Sequence, residues 1–216
     1  MREYLAYKLY NIVSDNSFRV RLLKIRYIDT GTRGLVLEKY AFAIEPMNIL
    51  MARTSSVEIE EEKIIEYSID PEAAVRLALF QFLIGNNDYF IPMGHNIKAI
   101  DILSDSGEML TPLPYDFDYS GMVDTYYANT KGTDLKEKGI ERIYSGPCLK
   151  ESEFEDVLDD FAGYKDQFIS EIRDFEYLNR RNRVDLERYI KSFYDLYRKE
   201  VLLRILLENC IDTEQN

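Results

Sequence analysis

Two polar stretches of the chain contain residue types that could carry out phosphoryl transfer. The stretch GNNDYFIPMGHN contains Asp88 and ends at Asn96, and the later stretch PYDFDYSG contains Asp116 and Asp118. Phosphoryl transfer needs one carboxylate that orients the attacking hydroxyl or accepts its proton, and an Asn and a second Asp that hold metal ions on the nucleotide phosphates. Carboxylate and amide oxygens are hard ligands, which suit Mg²⁺ and suit zinc poorly. The order of these residues therefore matches a metal-dependent phosphotransferase.

A predicted β-hairpin between the two stretches brings them together. The segment IKAIDIL alternates between apolar and polar residues, SDSG supplies a turn, and EMLTPLPY runs back. If the turn centres near Ser106, facing residues have numbers that sum to about 212, with roughly one residue of register error. Asn96 is then opposite Asp116 at the open end of the hairpin, and Asp88 lies on the loop that leads into that end. We expect these three side chains to share one rim.

The single histidine, His95, stands beside Asn96. An imidazole titrates near neutral pH and could act as a base or a metal ligand, but a structural hydrogen-bonding role is the interpretation that we favour. Asp88 and Asn96 also have an ordinary interpretation as turn residues, the first after a helix and the second before a strand. Asp116 and Asp118 would project from one face of a strand and repel each other unless a cation neutralises them. Asp118 could instead cap the YSG turn.

Clear secondary-structure patterns precede the site. Apolar residues at helical spacing in REYLAYKLYNIV predict a first helix. The alternating segments FRVRLLKIRYID and LVLEKYAFAIE, joined by TGTRG, predict a hairpin, and we expect the cations of its first strand to line one solvated face. The acidic segment SSVEIEEEKIIEYS predicts a solvated connection or an exposed strand. Asp70 as N-cap, Pro71 in the first turn and Gly85 at the end predict a helix over 70–84. Its predicted inward stripe consists of Val75, Leu79, Phe82 and Leu83.

The C-terminal quarter of the chain is predicted to be helical. No Gly or Pro follows Gly163, and apolar or aromatic residues recur at helical spacing: Leu186, Tyr189, Ile190, Phe193 and Tyr197. This stripe of aliphatic and aromatic residues predicts core packing rather than a ligand site. The order helix, strands, helix, loop, hairpin and helices predicts an α+β fold.

Composition argues against several kinds of partner. The chain has 27 basic and 39 acidic residues, a net charge of −12, without the basic patch of a nucleic-acid-binding protein. No apolar run approaches the roughly 18 residues that span a bilayer. The opening MREYLAYKLYN is charged and unlike a signal peptide, which predicts a cytoplasmic location as written, or export if an upstream signal is missing. Cys148 and Cys210 form no zinc pattern, and we expect two unpaired thiols.

The two polar stretches resemble the catalytic core of the CotH-type atypical protein kinases, the spore-coat kinase family, and more distantly HipA-type and lipid kinases. The segments REYLAYKLYN, SFRVRLLKIRYIDT, YAFAIE and IERIYSGPC are similar to bacterial CotH-like proteins that are mostly uncharacterised. The resemblance implies an atypical protein-kinase-like fold, with part of an N-lobe at 1–50, formed by an αC-like helix and an antiparallel hairpin. It implies a mainly helical C-lobe at 51–216, which holds a catalytic loop at 85–96 and a metal-binding DFD at 116–118.

The resemblance also implies a role for each candidate residue. Asp88 matches the catalytic Asp, Asn96 the metal-binding Asn and Asp116 the metal-binding Asp, while Asp118 could assist with a second metal ion. Glu3 matches the Glu of the kinase αC helix, which pairs with the nucleotide-binding Lys. The implied cofactors are ATP and Mg²⁺ or Mn²⁺, and the implied substrate is a Ser or Thr hydroxyl of a protein.

Departures from the kinase pattern keep other functions open. Asp88 and Asn96 are eight residues apart, against about five in the usual kinase loop. No Gly-rich phosphate loop or well-placed nucleotide Lys is recognisable, since Lys24 and Lys39 fall on predicted strands. We therefore expect the first N-lobe strands to lie upstream of Met1. A catalytically impaired pseudokinase or interaction module is the first alternative function, and a metal-dependent phosphohydrolase using the same acids is the second.

Overall fold

The first helix of the protein lies against its core. The computed structural model describes residues 1–31, 34–103, 109–123, 142–198 and 201–211. Helix α1, Arg2–Val13, buries Leu5, Leu9 and Val13 at helical spacing, as its sequence pattern predicts. It packs against two helices described below, Pro71–Ile84 and Glu151–Asp174.

The predicted first hairpin is confirmed. Strands β1, Val20–Ile28, and β2, Val36–Ile44, pair with each other in antiparallel register. Because side chains alternate across a strand, Arg21 projects from one face of the hairpin while Lys24 and Arg26 project from the other. The expectation that the cations of this strand share one face is therefore wrong. The TGTRG turn lies partly outside the described residues.

A short helix follows that the sequence analysis did not predict. Helix α2, Met47–Thr54, ends at Ser55, which has a left-handed φ of 53°. The acidic segment after it contains strand β3, Ser56–Ile59, a 3-10 helix at Glu61–Glu66, and strand β4, Ser68–Ile69. The exposed side chain of Val57 agrees with the prediction of an exposed strand in this segment.

Helix α3, Pro71–Ile84, begins and ends where its capping residues predict. The side chain of Asp70 accepts hydrogen bonds from the backbone N–H groups of Glu72 and Ala73, and Gly85 ends the helix with a left-handed φ of 65°. The predicted inward stripe is buried, but burial extends to every residue of 77–84. The helix is therefore a central element rather than an amphipathic surface helix.

A four-stranded sheet carries the second hairpin. Strands β5, Ile97–Ile102, and β6, Met109–Pro114, are antiparallel and lie at the centre of the order β3-β5-β6-β4, with β4 parallel to β6. The register differs by one residue from the expected one, because Ile97 is opposite Pro114. This shift is within the stated error. The predicted SDSG turn, with Ser106, lies outside the described residues.

Three helices complete the fold and confirm an α+β protein with a helical C-terminal region. Helices α4, Glu151–Asp174, α5, Arg180–Arg198, and α6, Val201–Asn209, pack on one another, and α4 also packs on α1. The predicted stripe of α5 contributes to the core: Leu186, Ile190 and Phe193 are buried. Its other two members, Tyr189 and Tyr197, are partly buried against that core. One continuous core joins α1, α3, β6 and these helices.

The cysteine prediction is wrong, because Cys148 and Cys210 form a disulfide that spans a sequence separation of 62. Backbone pairing sets the two residues side by side. The N–H of Cys148 donates to the carbonyl of Ile211 at 3.0 Å, and the N–H of Ile211 donates to the carbonyl of Gly146 at 2.8 Å. The bond links the start of α4 to the end of α6.

No helix within the described ranges is long and apolar enough to cross a bilayer.

Candidate active site

Two buried amide side chains, those of Gln81 and Asn86, position Asp88 just beyond the end of helix α3. Asn86 and Gln81 are fully buried. The Nδ2 of Asn86 donates to Oε1 of Gln81 at 3.1 Å, and Oδ1 of Asn86 accepts the backbone N–H of Asp88 at 3.1 Å. Because unmade hydrogen bonds are costly in a buried position, this chain of contacts fixes the backbone of Asp88 relative to α3.

Sequence reasoning missed this supporting pair. Gln81 is a lone polar residue in the apolar run LALFQFLI, and Asn86 directly follows the C-cap Gly85. Most buried polar side chains have at least one hydrogen-bonding partner, so a polar residue inside an apolar run points to a polar residue nearby. That pattern is the signal that could have found the pair.

The loop after Asp88 closes on itself and returns the chain to the same place. Phe90 and His95 exchange two backbone hydrogen bonds, of 3.0 and 3.1 Å. A 3-10 turn at Ile91–Met93 and Gly94, with a φ of 66°, fill the space between them. The spacing of Asp88 and Asn96, which is longer than in the usual kinase loop, is thus accommodated by a closed loop between them.

Asp88 is held by the two residues that this loop brings back. The Nε2 of His95 lies 3.0 Å from Oδ1 of Asp88, and the Nδ2 of Asn96 donates to Oδ2 of Asp88 at 3.2 Å and to its backbone carbonyl at 2.7 Å. Asn96 adopts a left-handed φ of 53°. His95 therefore has the hydrogen-bonding position that we favoured for it, and both carboxylate oxygens of Asp88 have a partner.

Asp116 approaches this pair from the end of β6. The N–H of Tyr115 donates to the carbonyl of Asn96 at 3.1 Å, so Asn96 is opposite Tyr115 rather than opposite Asp116. Asp116 is the next residue, has a left-handed φ of 58°, and donates its N–H to Oη of Tyr7 at 2.9 Å. Non-glycine residues seldom adopt this conformation, and those that do cluster at functional sites.

Carboxylates crowd around Asp116. Its pKa is raised, first by burial, then by repulsion from and a hydrogen bond with Asp118, and to a smaller extent by Asp88. The crowding places Asp88, Asp116 and Asp118 in one electrostatic neighbourhood. The structure thus brings the residues of the two polar stretches together at the open end of the hairpin.

Glu3 joins this group from helix α1. Burial, followed by repulsion from Asp116 and Asp118, raises the pKa of Glu3 to about 7, although the backbone N–H of Phe117 donates to its carboxylate. Phe117 is fully buried, and its ring centroid lies 4.7 Å from that of Tyr7. The Phe between the two acids of the DFD therefore ties α1 to the site.

The described part of the chain contains no lysine that pairs with Glu3 as a kinase αC glutamate would pair, in line with the absence of a well-placed nucleotide Lys from the sequence. No lysine or arginine within the ranges given above forms a salt bridge with Glu3. Lys24 is paired instead with Glu38 at 2.7 Å, and Lys39 lies on the exposed part of β2.

The donor set fits a hard divalent cation by its chemistry. Repulsion between carboxylates contributes to the raised pKa values of Glu3 and Asp116, and a bound cation would relieve it. Across the residues that the structure describes, no three His, Cys, Asp or Glu side chains form a ready metal-binding group. The candidate set includes an amide, Asn96, and phosphate oxygens would complete it.

Comparisons of this chain with protein-family models, with curated proteins and with solved structures find no match.

Proposed function

We propose that this protein is an atypical kinase-like phosphotransferase, which uses ATP with Mg²⁺ or Mn²⁺ to phosphorylate Ser or Thr hydroxyls of a protein. The observation that carries the proposal is the hydrogen-bonded pair of Asp88 and Asn96 beside Asp116 at the open end of the β5–β6 hairpin. Their order along the chain is that of a kinase site. The resemblance to CotH-type kinases supports the same assignment.

Asp88 is the group that would act on the acceptor hydroxyl. Contacts from His95 and Asn96 fix the orientation of its carboxylate, and its side chain is 41% exposed. A fixed and accessible carboxylate can hold the hydroxyl in line with the γ-phosphate and accept its proton. The new O–P bond then forms as the bond from the γ-phosphorus to the β–γ bridging oxygen breaks and ADP leaves.

Asn96 and Asp116 are the groups that would hold the metal ion. Asn96 uses its Nδ2 to hold Asp88, which leaves Oδ1 as the metal-ligating atom of this side chain. Asp116, with Asp118 beside it, supplies negative charge. A divalent cation held by these residues would supply positive charge to offset the negative charge of the nucleotide phosphates during transfer. Glu3 would contribute to cofactor binding, because its carboxylate would pair with a cation that helps to hold the nucleotide.

Transfer of labelled phosphate from ATP to a protein acceptor such as casein, in the presence of Mg²⁺, tests this function. Asp88→Ala should lower the transfer rate by about 100-fold or more, because it removes the group that positions and deprotonates the hydroxyl. Asp156→Ala, which removes an exposed carboxylate from α4, is the matched control and should leave the rate unchanged. Equal rates in the wild type and in Asp88→Ala would contradict the assignment of Asp88.

A catalytically impaired pseudokinase or interaction module is the second candidate function. The observation that favours it is Glu3, which lacks a lysine or arginine partner in the described ranges. This function predicts binding of Mg²⁺ and ATP without transfer to any acceptor. Release of phosphate from ATP without an acceptor would instead indicate the metal-dependent phosphohydrolase.

The disulfide bears on where the protein works. Disulfides form and persist mainly in oxidising compartments, and Cys148 and Cys210 are bonded. This supports export rather than the cytoplasmic location that the bare sequence favours. Mass spectrometry of the protein from its native cells, with free thiols blocked before lysis, should find the two cysteines unmodified by the blocking reagent.

A further inference from the structure

The β1–β2 hairpin stands apart from the rest of the fold as a sheet of its own. Among the described residues these two strands pair only with each other. Within the described ranges, each of the two strands therefore has an outer edge without a neighbouring strand. The hairpin also carries exposed apolar side chains. Tyr27 is 52% exposed and Leu37 is 45% exposed.

The hydrogen-bond pattern shows which backbone groups face outward. The N–H of Glu45 donates to the carbonyl of Arg19, and the N–H of Asp29 donates to the carbonyl of Leu35, both at 2.8 Å. Bonded and non-bonded pairs alternate along an antiparallel ladder, so odd-numbered residues of β1 bond to β2. The N–H and carbonyl groups of Leu22, Lys24 and Arg26 therefore point away from β2.

The two faces of the hairpin also differ. Val20 and Phe42, which lie on the even-numbered face, pack against the main core. The odd-numbered face presents the side chains of Leu23, Ile25, Tyr27 and Leu37.

Strand β1 is strongly basic in an acidic protein. Residues 19–28, RVRLLKIRYI, contain four cations and no acid, whereas the chain has a net charge of −12. Lys24 pairs with Glu38. Arg21 and Arg26 form no ion pair within the described ranges. An edge strand with free cations repels a second copy of itself and attracts acidic groups.

We propose that the outer edge of β1 binds an extended, acidic segment of a partner protein, which adds a third strand to the hairpin. Backbone bonds to the outward groups of Leu22, Lys24 and Arg26 would supply affinity. Acidic side chains opposite Arg21 and Arg26 would supply selectivity, and apolar side chains between them would cover Leu23 and Ile25.

A peptide that contains Glu-Val-Thr-Val-Thr-Glu, labelled with fluorescein, is the probe for this surface. Paired antiparallel to β1, it places its glutamates opposite Arg21 and Arg26, on different faces, and its valines opposite Leu23 and Ile25. Fluorescence anisotropy should show saturable binding to the whole chain, and a matched peptide with lysine in place of glutamate should not bind. The double variant Arg21→Gln/Arg26→Gln should weaken binding by about tenfold or more, because both free cations of the edge are lost. Arg204→Gln, an exposed arginine of α6, should bind like the wild type.

Hydrogen exchange identifies the mode of binding. The peptide should slow exchange at the amides of Leu22, Lys24 and Arg26, whereas the amides that already bond to β2 should change little. Failure of the acidic peptide to bind, or equal binding by the double variant, would overturn the proposal. Binding to phosphatidylserine vesicles without binding to the peptide would assign the edge to a membrane surface instead. Sedimentation as a dimer with these amides already protected would assign it to a second copy.

Discussion

The pKa of Glu3 reflects the concentration of carboxylates in the candidate site. Its carboxylate lies near Asp116 and Asp118, and its pKa is raised to about 7 from a reference value of 4.5. Between these two pH values the folded protein binds more protons at this position than the unfolded chain does. The contribution of Glu3 to the free energy of unfolding is therefore full below about pH 4.5 and is lost as pH rises through about 7.

Replacement of this carboxylate should stabilise the protein at alkaline pH. Glu3→Gln keeps the shape and removes the charge, so we expect its melting temperature to exceed that of the wild type by on the order of 2 °C at pH 8, with the difference shrinking towards pH 4.5. Thermal unfolding followed by circular dichroism across this range is the measurement. Glu155→Gln, an exposed position on α4, serves as the control. A Glu3→Gln difference that does not depend on pH would contradict the raised pKa.

Replacement of Asn86 should lower both the stability of the protein and the order of the Asp88 backbone. Asn86→Ala leaves Oε1 of Gln81 and the N–H of Asp88 without their partners. Leaving such groups unsatisfied typically costs about 1–3 kcal/mol. Urea denaturation should show a loss of this size, and phosphate transfer should fall with it. Asn48→Ala, at an exposed position of α2, should change neither quantity. Equal stability of the two variants would contradict a supporting role for the hydrogen bonds of Asn86 to Gln81 and Asp88.

Among the elements, helix α3 ends at the point where the loop that carries Asp88 begins. Gly85 has a φ of 65°, and a Cβ at this position would collide with the hydroxyl of Tyr189 on α5. The carbonyl of Gly85 also accepts the N–H of Gly121 at 2.9 Å. A side chain here would disturb the junction between α3, α5 and the segment after Asp116.

A pair of glycine variants tests this junction. Gly85→Ala should lower the free energy of unfolding by about 1–3 kcal/mol, because left-handed strain and a steric clash combine. Gly163→Ala is the matched control, since Gly163 lies within α4 and a Cβ there meets nothing within 4 Å. That variant should be stabilised by roughly 0.5–1 kcal/mol. Equal effects of the two changes in chemical denaturation would contradict this account.

Elements with local signals could be predicted from the sequence. The caps at Asp70 and Gly85 gave the bounds of α3, and alternation gave both hairpins. Helix α2 was missed because its first turn follows Pro46 without a capping side chain. The hairpin register was off by one residue because nothing in the strand pattern fixes the centre of the turn.

The site could be predicted only in part, for a related reason. The hairpin pairs Asn96 with Tyr115 and so brings it close to Asp116, an arrangement that can be read from alternation to within one residue. Glu3, in contrast, reaches Asp116 through the packing of α1, and the pairing of Cys148 with Cys210 depends on where α6 ends. Composition and spacing carry no information on such long-range contacts.

At the scale of the whole molecule, the disulfide fastens the C-terminal helices. Cys148 and Cys210 enclose α4, α5 and the whole of α6 in one loop. Cross-links of this span stabilise proteins by about 2–4 kcal/mol, mainly by restricting the unfolded chain. The double variant Cys148→Ser/Cys210→Ser should lose that amount in urea denaturation, and a reducing agent should destabilise the wild type but not the variant. Insensitivity of the wild type to full reduction would contradict a stabilising role.

The central claim is that Asp116 helps to bind a metal–nucleotide complex while Asp88 acts on the acceptor. Isothermal titration calorimetry with ATP, in the presence and absence of Mg²⁺, separates these roles most directly. The account predicts that the wild type, Asp88→Ala and the control Asp156→Ala bind ATP only with Mg²⁺, and that Asp116→Ala does not bind. Mg²⁺-dependent binding that survives in Asp116→Ala, or that is lost in Asp88→Ala instead, would contradict it.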